Sequence, residues 1–346
     1  MTDHNHGHGH GHGHGHGVSA GADRRYLSGA LVLIVGFMAA EVVIGFIARS
    51  LALISDAGHM LTDAASIVLA LMAMRLAACP PRGGYTYGLK RAEILSAQFN
   101  GITLLLLGAW FGYEGVRRLI EPPEVEGLYV LATGLAGILV NLAATWLLSK
   151  ANRTSLNVEG AYQHILNDLF AFVATTIAGL VIWLTGWGRA DAIAALAVAV
   201  LMLRAGWGLA RATGRVLLQA APVELDPDHI GAKTAALDQV VQVHDLHIWQ
   251  ITSGYATLSA HILVVPEADC HTVRAAAERM LHVDHGITHT TLQVDHAPLE
   301  LRTVYATEDH CEDPHGPVHH GAAAKRTTSL SAPTSFEHHP SLSGWH

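Results

Sequence analysis

Long apolar runs separated by short polar joints fill the chain from Tyr26 to about Arg215. Each run holds roughly the 20 helical residues that a bilayer's hydrocarbon core demands. The pattern predicts six spans: Leu27 to Ala48, Leu51 to Ala77, Ile94 to Leu119, Leu128 to Leu148, Ala161 to Leu184 and Ala190 to Leu209. Gly and Ala recur inside them, which lets helices approach closely in lipid, and the prolines fall in the joints. The first run is too long for the apolar core of a cleavable leader and follows a His-Gly tract, so it reads as a span and not as a signal peptide.

After Pro222 the periodicity changes. Pro227 to Leu237 reads as a short helix, Val241 to Thr252 and Tyr255 to Val265 as strands, Asp269 to Val283 as a helix capped by Asp269, and Thr288 to Asp295 as a last strand. That αββαβ order describes a compact ferredoxin-like domain, small enough to gain from pairing with a second copy of itself. Beyond Leu301 the chain is rich in His, Pro, Ser and Gly and poor in core-forming residues, the composition of a disordered tail. The expected organisation is a His-rich tail over residues 1–25, a six-helix membrane domain over 26–215, a small α+β domain over 216–300, and the second tail over 301–346. The fold class is therefore an α-helical polytopic membrane protein with six transmembrane helices plus a cytoplasmic α+β ferredoxin-like domain.

Charge gives this arrangement a direction. Arg24, Arg25, Arg75, Arg82, Lys90, Arg91, Lys150, Arg153, Arg204, Arg211 and Arg215 gather at one set of span ends, against Arg49, Arg117, Arg118 and Arg189 at the other. The positive-inside rule then places both termini in the cytoplasm. A formal net charge of -8 with no concentrated basic region gives a nucleic-acid partner no support. Cys79, Cys270 and Cys311 form neither a zinc-finger nor a CxxC pattern.

Two polar pairs break the apolar runs. His59 and Asp63 stand four residues apart in the second run, and His164 and Asp168 repeat that spacing in the fifth. Four residues is about one helical turn, so each pair faces one side. Ionisable groups at lipid depth are costly and usually mark a site or pathway. Nitrogen and oxygen ligands from two such turns suit a divalent metal, foremost Zn²⁺, with Cd²⁺ and Co²⁺ also compatible. The same groups are contested by protons, because a metal-binding imidazole must be neutral and a carboxylate ionised. Proton-coupled exchange of metal across the membrane follows as the expected mechanism. No Walker-type phosphate loop supports coupling to ATP, and no organised nucleophile and acid supports an enzyme. Asp56 is the nearest further candidate, while Glu41, Glu93, Gln98, Asn100, Glu114, Asn141, Glu159, Asn167 and Asp191 read as helix contacts or boundary residues.

Four blocks in order carry a family resemblance: Ser50-Leu-Ala-Leu-Ile-Ser-Asp-Ala-Gly-His59-Met-Leu-Thr-Asp63, Tyr87-Gly-Leu-Lys-Arg-Ala-Glu93, Ser155-Leu-Asn-Val-Glu-Gly-Ala-Tyr-Gln-His164-Ile-Leu-Asn-Asp168 and His244-Asp-Leu-His-Ile-Trp249. From about Tyr26 to Pro298 the chain resembles the cation diffusion facilitator family, in particular its bacterial cobalt, zinc and cadmium efflux branch. The resemblance implies a homodimer in the bacterial inner membrane that exports Zn²⁺ against protons by alternating access, with His59, Asp63, His164 and Asp168 as the transport site. It also implies a second metal site in the cytoplasmic domain, for which His244, His261, His271 and Asp295 are the candidates. Gln293 stands where some relatives have another His, which bears on whether that site holds two ions. His4, His6, His8, His10, His12, His14 and His16 form a flexible tract suited to weak, interchangeable metal binding, and His319, His320, His338 and His339 form a sparser one.

Overall fold

The computed structural model describes residues 20–48, 51–121, 127–297 and 316–323. Two compact units divide the chain, residues 1–214 and 215–346.

The first unit consists of helices α1 (Ala20–Ala48), α2 (Leu51–Ala77), α3 (Ala92–Ile120), α4 (Gly127–Ser149), α5 (Leu156–Thr185) and α6 (Arg189–Leu217). Helices α1, α2, α4 and α5 share one core, built from Leu27 and Ile34, Met60 and Ile67, Ala144 and Leu148, and Val158 and Ile165. Small residues among them, such as Ala30, Ala64, Ala70 and Ala161, keep the helices close. Helices α3 and α6 pack together through glycines. A Cβ on Gly101 would press on the backbone of Ala210 and Gly206, and one on Gly108 or Gly115 would meet Leu203 or Leu196. Those three glycines recur every seven residues, hence on one face of α3. Polar ties fasten the helix ends. Asp23 accepts the Asn152 amide at 2.8 Å, Asn157 Nδ2 donates to the Ala70 carbonyl at 3.0 Å, and Arg118 pairs with Asp191 at 3.0 Å and with Glu114 at 3.1 Å.

The expectation of six membrane spans is corrected. Among the described residues, four helical stretches are long and apolar enough to cross a membrane: Ala92–Ile120, Leu131–Ser149, Leu156–Thr185 and Arg189–Leu217, with mean hydropathy from 1.5 to 2.0. Helices α1 and α2 are also rich in apolar residues, but their side chains at 41, 44–48, 51–59 and 62 lie outside the described residues. A continuous apolar stretch of the required length is described only in α3 to α6. Their outer faces carry Leu106, Trp110, Leu139, Trp146, Ile177, Trp183, Val200 and Trp207 exposed, a surface suited to lipid and not to water.

The second unit runs α7 (Pro227–Ala235), β1 (Val240–Gln250), β2 (Ala256–Val264), α8 (Cys270–His285), β3 (His289–His296) and β4 (His319–His320). The element order up to β3 is the one the alternation predicts. Asp226 caps α7 by accepting the Asp228 amide at 3.0 Å, with Pro227 in the first turn. Asp269 caps α8, accepting from the His271 amide at 3.0 Å and the Thr272 hydroxyl at 2.6 Å, and these donors hold its carboxyl below the usual range. Val243, Ile248, Leu258, Ile262, Val273, Ala277 and Leu281 form the core beneath the sheet.

The ferredoxin-like expectation is also corrected. Strand order is β3-β2-β1-β4, with β1 antiparallel to β2, β2 parallel to β3, and β4 antiparallel to β1. A ferredoxin-like sheet splits its βαβ units by placing a strand between the parallel pair. Here α7 precedes β1 where that additional strand would be required, so β3 pairs directly with β2 and the sheet stays open. Among the described residues its β1 edge is covered by the two-residue β4, where His319 and His320 align with Val243 and Gln242 and the Gly321 amide donates to the Val241 carbonyl at 2.8 Å.

Candidate metal sites

Helices α2 and α5 bring Asp63, His164 and Asp168 together. Each offers a ligand atom, and these atoms lie within 4.8 Å of one another. Asp63 and His164 are buried, and His164 Nε2 stands 2.9 Å from Asp63 Oδ1. Asp168 follows His164 by one turn, as the spacing predicts. Among the described residues, His164 Nδ1 and Asp168 Oδ2 are buried with no hydrogen-bond partner. A buried polar atom without a partner is costly in a merely structural cluster and natural in a ligand set. With both carboxylates ionised the cluster keeps a net negative charge even if the imidazole is protonated, so a divalent cation or further protons would stabilise it. His59 lies in α2 one turn before Asp63, but its side chain falls outside the described residues, as does that of Asp56.

Other polar residues of the spans have local partners, with Asn100 of α3, buried with neither side-chain polar atom paired, as an exception. Glu114 and Asp191 share Arg118, Glu159 takes both Arg153 at 2.8 Å and Gln163 at 2.6 Å, Asn141 donates to the Gly137 carbonyl at 3.1 Å, and Asn167 donates to the Gln163 carbonyl at 2.6 Å.

A second cluster lies in the sheet of the cytoplasmic unit. His244 and His261 are cross-strand partners, with ring centroids 5.3 Å apart and planes at 89°. Asp245 completes the group, its Oδ2 3.2 Å from His261 Nδ1, and the ligand atoms of the three again lie within 4.8 Å of one another. That carboxylate oxygen is within ion-pair distance of the ring but lacks hydrogen-bond geometry to it. Gln242 Nε2 lies 3.2 Å from His244 Nδ1; with the amide turned over, its oxygen would accept the Nδ1 proton and leave Nε2 as the ligand nitrogen. His271 sits exposed in the first turn of α8, and Asp295 lies exposed on β3, where its Oδ2 accepts from Gln293 Nε2 at 2.8 Å. Of the four residues expected here, the single chain thus joins His244 and His261 and leaves His271 and Asp295 outside their cluster. His296 is engaged elsewhere, with its ring nitrogen 3.0 Å from the Ala268 carbonyl oxygen.

Asp245 is the residue that sequence reasoning missed. Neighbours along a regular strand point to opposite faces, so a His and the Asp after it should not share a guest. The pairing shifts between His244 and His247, and Asp245 takes a left-handed backbone with φ 50°. This bulge turns the carboxylate back toward His261. The available signal was an Asp, disfavoured in strands and tolerant of positive φ, inside an otherwise β-forming run.

Spanning helices around a buried carboxylate and imidazole cluster, with a small α/β unit bearing a second cluster, define a cation-handling membrane protein. Comparison with known proteins narrows the class. Residues 29–218 match the cation efflux transmembrane domain and residues 222–297 the cytoplasmic domain of cation efflux proteins. Among curated relatives, the cadmium, cobalt and zinc/H(+)-K(+) antiporter of Bacillus subtilis (strain 168) is 36% identical over 282 residues, covering 80% of this chain and 90% of that protein. The metal cation efflux system protein CzcD of Cupriavidus metallidurans is 37% identical over 284 residues, covering 81% and 89%. The zinc transporter ZitB of Escherichia coli (strain K12) is 36% identical over 276 residues, covering 79% and 88%. The chain belongs to the cation diffusion facilitator family. It is a multi-pass bacterial membrane transporter rather than an enzyme, and its cytoplasmic unit is the family's dimer domain, which makes the protein a homodimer.

Proposed function

We propose that this protein exports Zn²⁺ from the bacterial cytoplasm across the inner membrane by proton-coupled alternating access, and that Cd²⁺ and Co²⁺ also fit its site. The observation that carries the proposal is the buried Asp63, His164 and Asp168 cluster, with two polar atoms unpartnered. His59 joins the set through its one-turn spacing from Asp63. Neutral imidazole and ionised carboxylates receive the metal from the cytoplasm, and protons arriving from the opposite face displace it. The names of the relatives, which cite zinc, cadmium, cobalt and H(+), support this reading. Both termini are assigned to the cytoplasm from the excess of Arg and Lys at one set of helix ends.

His244, Asp245 and His261 are proposed to bind a regulatory metal in the cytoplasmic unit, with His271 and Asp295 contributing where two copies of the domain meet. This separates a transported ion from a resident one.

Reconstituted protein in proteoliposomes tests the first proposal. Zn²⁺ uptake into inverted vesicles and luminal pH are recorded together. Uptake should require a proton gradient, release protons from the lumen and saturate with Zn²⁺. Uptake that persists in full without a proton gradient, or in an Asp63→Asn, His164→Ala double variant, overturns it. A parallel K⁺ gradient distinguishes proton exchange from the mixed H(+)-K(+) exchange named for the Bacillus relative.

A further inference from the structure

A cleft of about 390 Å³ opens between α5 and α6, and Asp63, His164 and Asp168 do not line it. Leu166, Phe170, Leu201 and Leu209 give it apolar walls, and Arg204 and Gly208 stand on its α6 side. Arg204 is exposed within a helical stretch of mean hydropathy 1.9. An arginine inside a spanning helix requires either a carboxylate partner or a route to the headgroup layer. Glu159 lines the same cleft, but Arg153 and Gln163 already occupy both its oxygens. Among the described residues Arg204 has no ion-pair partner.

Arg204, Gly208 and Arg211 follow one another at steps of four and three, so they share one face of α6. Arg211 is exposed as well. Gly208 leaves open space between the two arginines, because a Cβ there would meet nothing within 4 Å. The face therefore combines unsatisfied positive charge with a hydrocarbon-lined recess that reaches past it. A free anion would meet the charge and leave the recess unused. A neutral lipid would fill the recess and leave the charge unmet.

We infer that the α5–α6 cleft binds an anionic phospholipid, with its phosphate on Arg204 and Arg211 and an acyl chain lying over Gly208 against Leu166, Phe170 and Leu201. The site takes no part in holding the transported cation. It places a lipid along the outer side of α5, the helix whose inner side carries His164 and Asp168.

The test uses the full-length dimer in mixed micelles, read by native mass spectrometry for retained lipid and by thermal unfolding. Phosphatidylglycerol should be retained and should raise the melting temperature, and phosphatidylcholine should do so less. Arg204→Gln should reduce the preference for phosphatidylglycerol about fivefold, the worth of one arginine near an anionic surface. Gly208→Leu, whose Cβ meets nothing within 4 Å and whose side chain suits a helix, should reduce retention of both lipids while Zn²⁺ still binds the folded protein. Inorganic phosphate at millimolar concentration should not displace the lipid. The inference is overturned if Arg204→Gln keeps the preference, if Gly208→Leu keeps retention, or if phosphate alone competes. It is equally overturned if Gly208→Leu converts dimer to monomer, since the cleft would then be filled by a second copy of the chain.

Discussion

The two metal clusters use the same side-chain chemistry on opposite kinds of scaffold. In the membrane, Asp63, His164 and Asp168 come from two helices whose one-turn spacing aims the side chains without any backbone distortion. In the sheet, His244, Asp245 and His261 converge only because β1 bulges at Asp245. The environments differ as well. His164 is buried, whereas the His261 side chain keeps 36% of its exposure and Asp245 10%. A buried cluster with unpaired atoms must be neutralised by whatever enters it, which suits a cargo exchanged for protons. The strand cluster buries His244 and Asp245 and opens to solvent through His261, which suits a resident ion loaded from the cytoplasm.

The largest expected effect comes from breaking the membrane cluster. Loss of an outer-shell partner typically costs about 10- to 100-fold in metal affinity or activity, so loss of a ligand itself should reach at least about 100-fold. Asp63→Asn, His164→Ala and Asp168→Asn are each expected to reduce Zn²⁺ flux by that much in proteoliposomes, with dimer yield unchanged. Asp245→Asn should act elsewhere. It tolerates the positive φ of the bulge but removes the charge, so calorimetry in a His164→Ala background should show cytoplasmic-site affinity falling about tenfold. Flux in the single variant should stay near the parent's. If Asp245→Asn stops transport as completely as Asp63→Asn, the two clusters are one functional site and their separation fails.

That contrast explains what was legible in the sequence. A helix has a fixed period, so HxxxD in two apolar runs locates a shared site before any fold is known. The order of α7, β1, β2, α8 and β3 was equally readable, because alternation and the caps at Asp226 and Asp269 are local signals. Asp245 was not readable, since a bulge depends on how β1 and β2 register. Nor was the direct parallel pairing of β3 with β2, which is a choice among tertiary arrangements and not a property of either strand. The apolar runs announced all six helices of the first unit, and among the described residues four of them are long and apolar enough to cross a membrane.

A third, smaller effect concerns the covered edge of the cytoplasmic sheet. His319 packs onto Gly231 of α7, where a Cβ would collide with its ring. Gly231→Ala should therefore strengthen α7 by up to about 1 kcal/mol in helix propensity while displacing β4. Hydrogen exchange should show the Gly321 amide, which donates to Val241, losing protection while the α7 amides gain it. Unchanged protection at Gly321 would mean that the tail segment yields without leaving the edge.

The smallest effect tests whether the cytoplasmic unit carries a pH dependence of its own, apart from any metal. Lys233 of α7 pairs with Asp284 of α8 at 2.7 Å, and this contact lowers the Asp284 carboxyl below its ordinary 3.8. A carboxyl depressed in the folded state contributes stability above its unfolded value, and that contribution is lost as pH falls through the folded one. His285 adjoins it, with its pKa pushed below 6.5 by burial and by the Lys233 charge, partly offset by Asp284, and with His229 at a ring distance of 6.2 Å. An imidazole depressed in this way binds protons more readily when unfolded, so its contribution begins to fall as pH drops past 6.5. Acid should therefore weaken protection of the α8 amides in two steps, the first near the histidine range and the second in the carboxylate range. Asp284→Asn should shrink the second step to the share of the Asp269 cap and slightly deepen the first, because it removes the negative charge that favours His285 protonation. Both partners of the ion pair are well exposed, so salt near 1 M, where the Debye length is about 3 Å, should shrink the Asp284 step. Persistence of that step at full size in Asp284→Asn would place the acid sensitivity of α8 on the Asp269 cap and not on the Lys233–Asp284 pair.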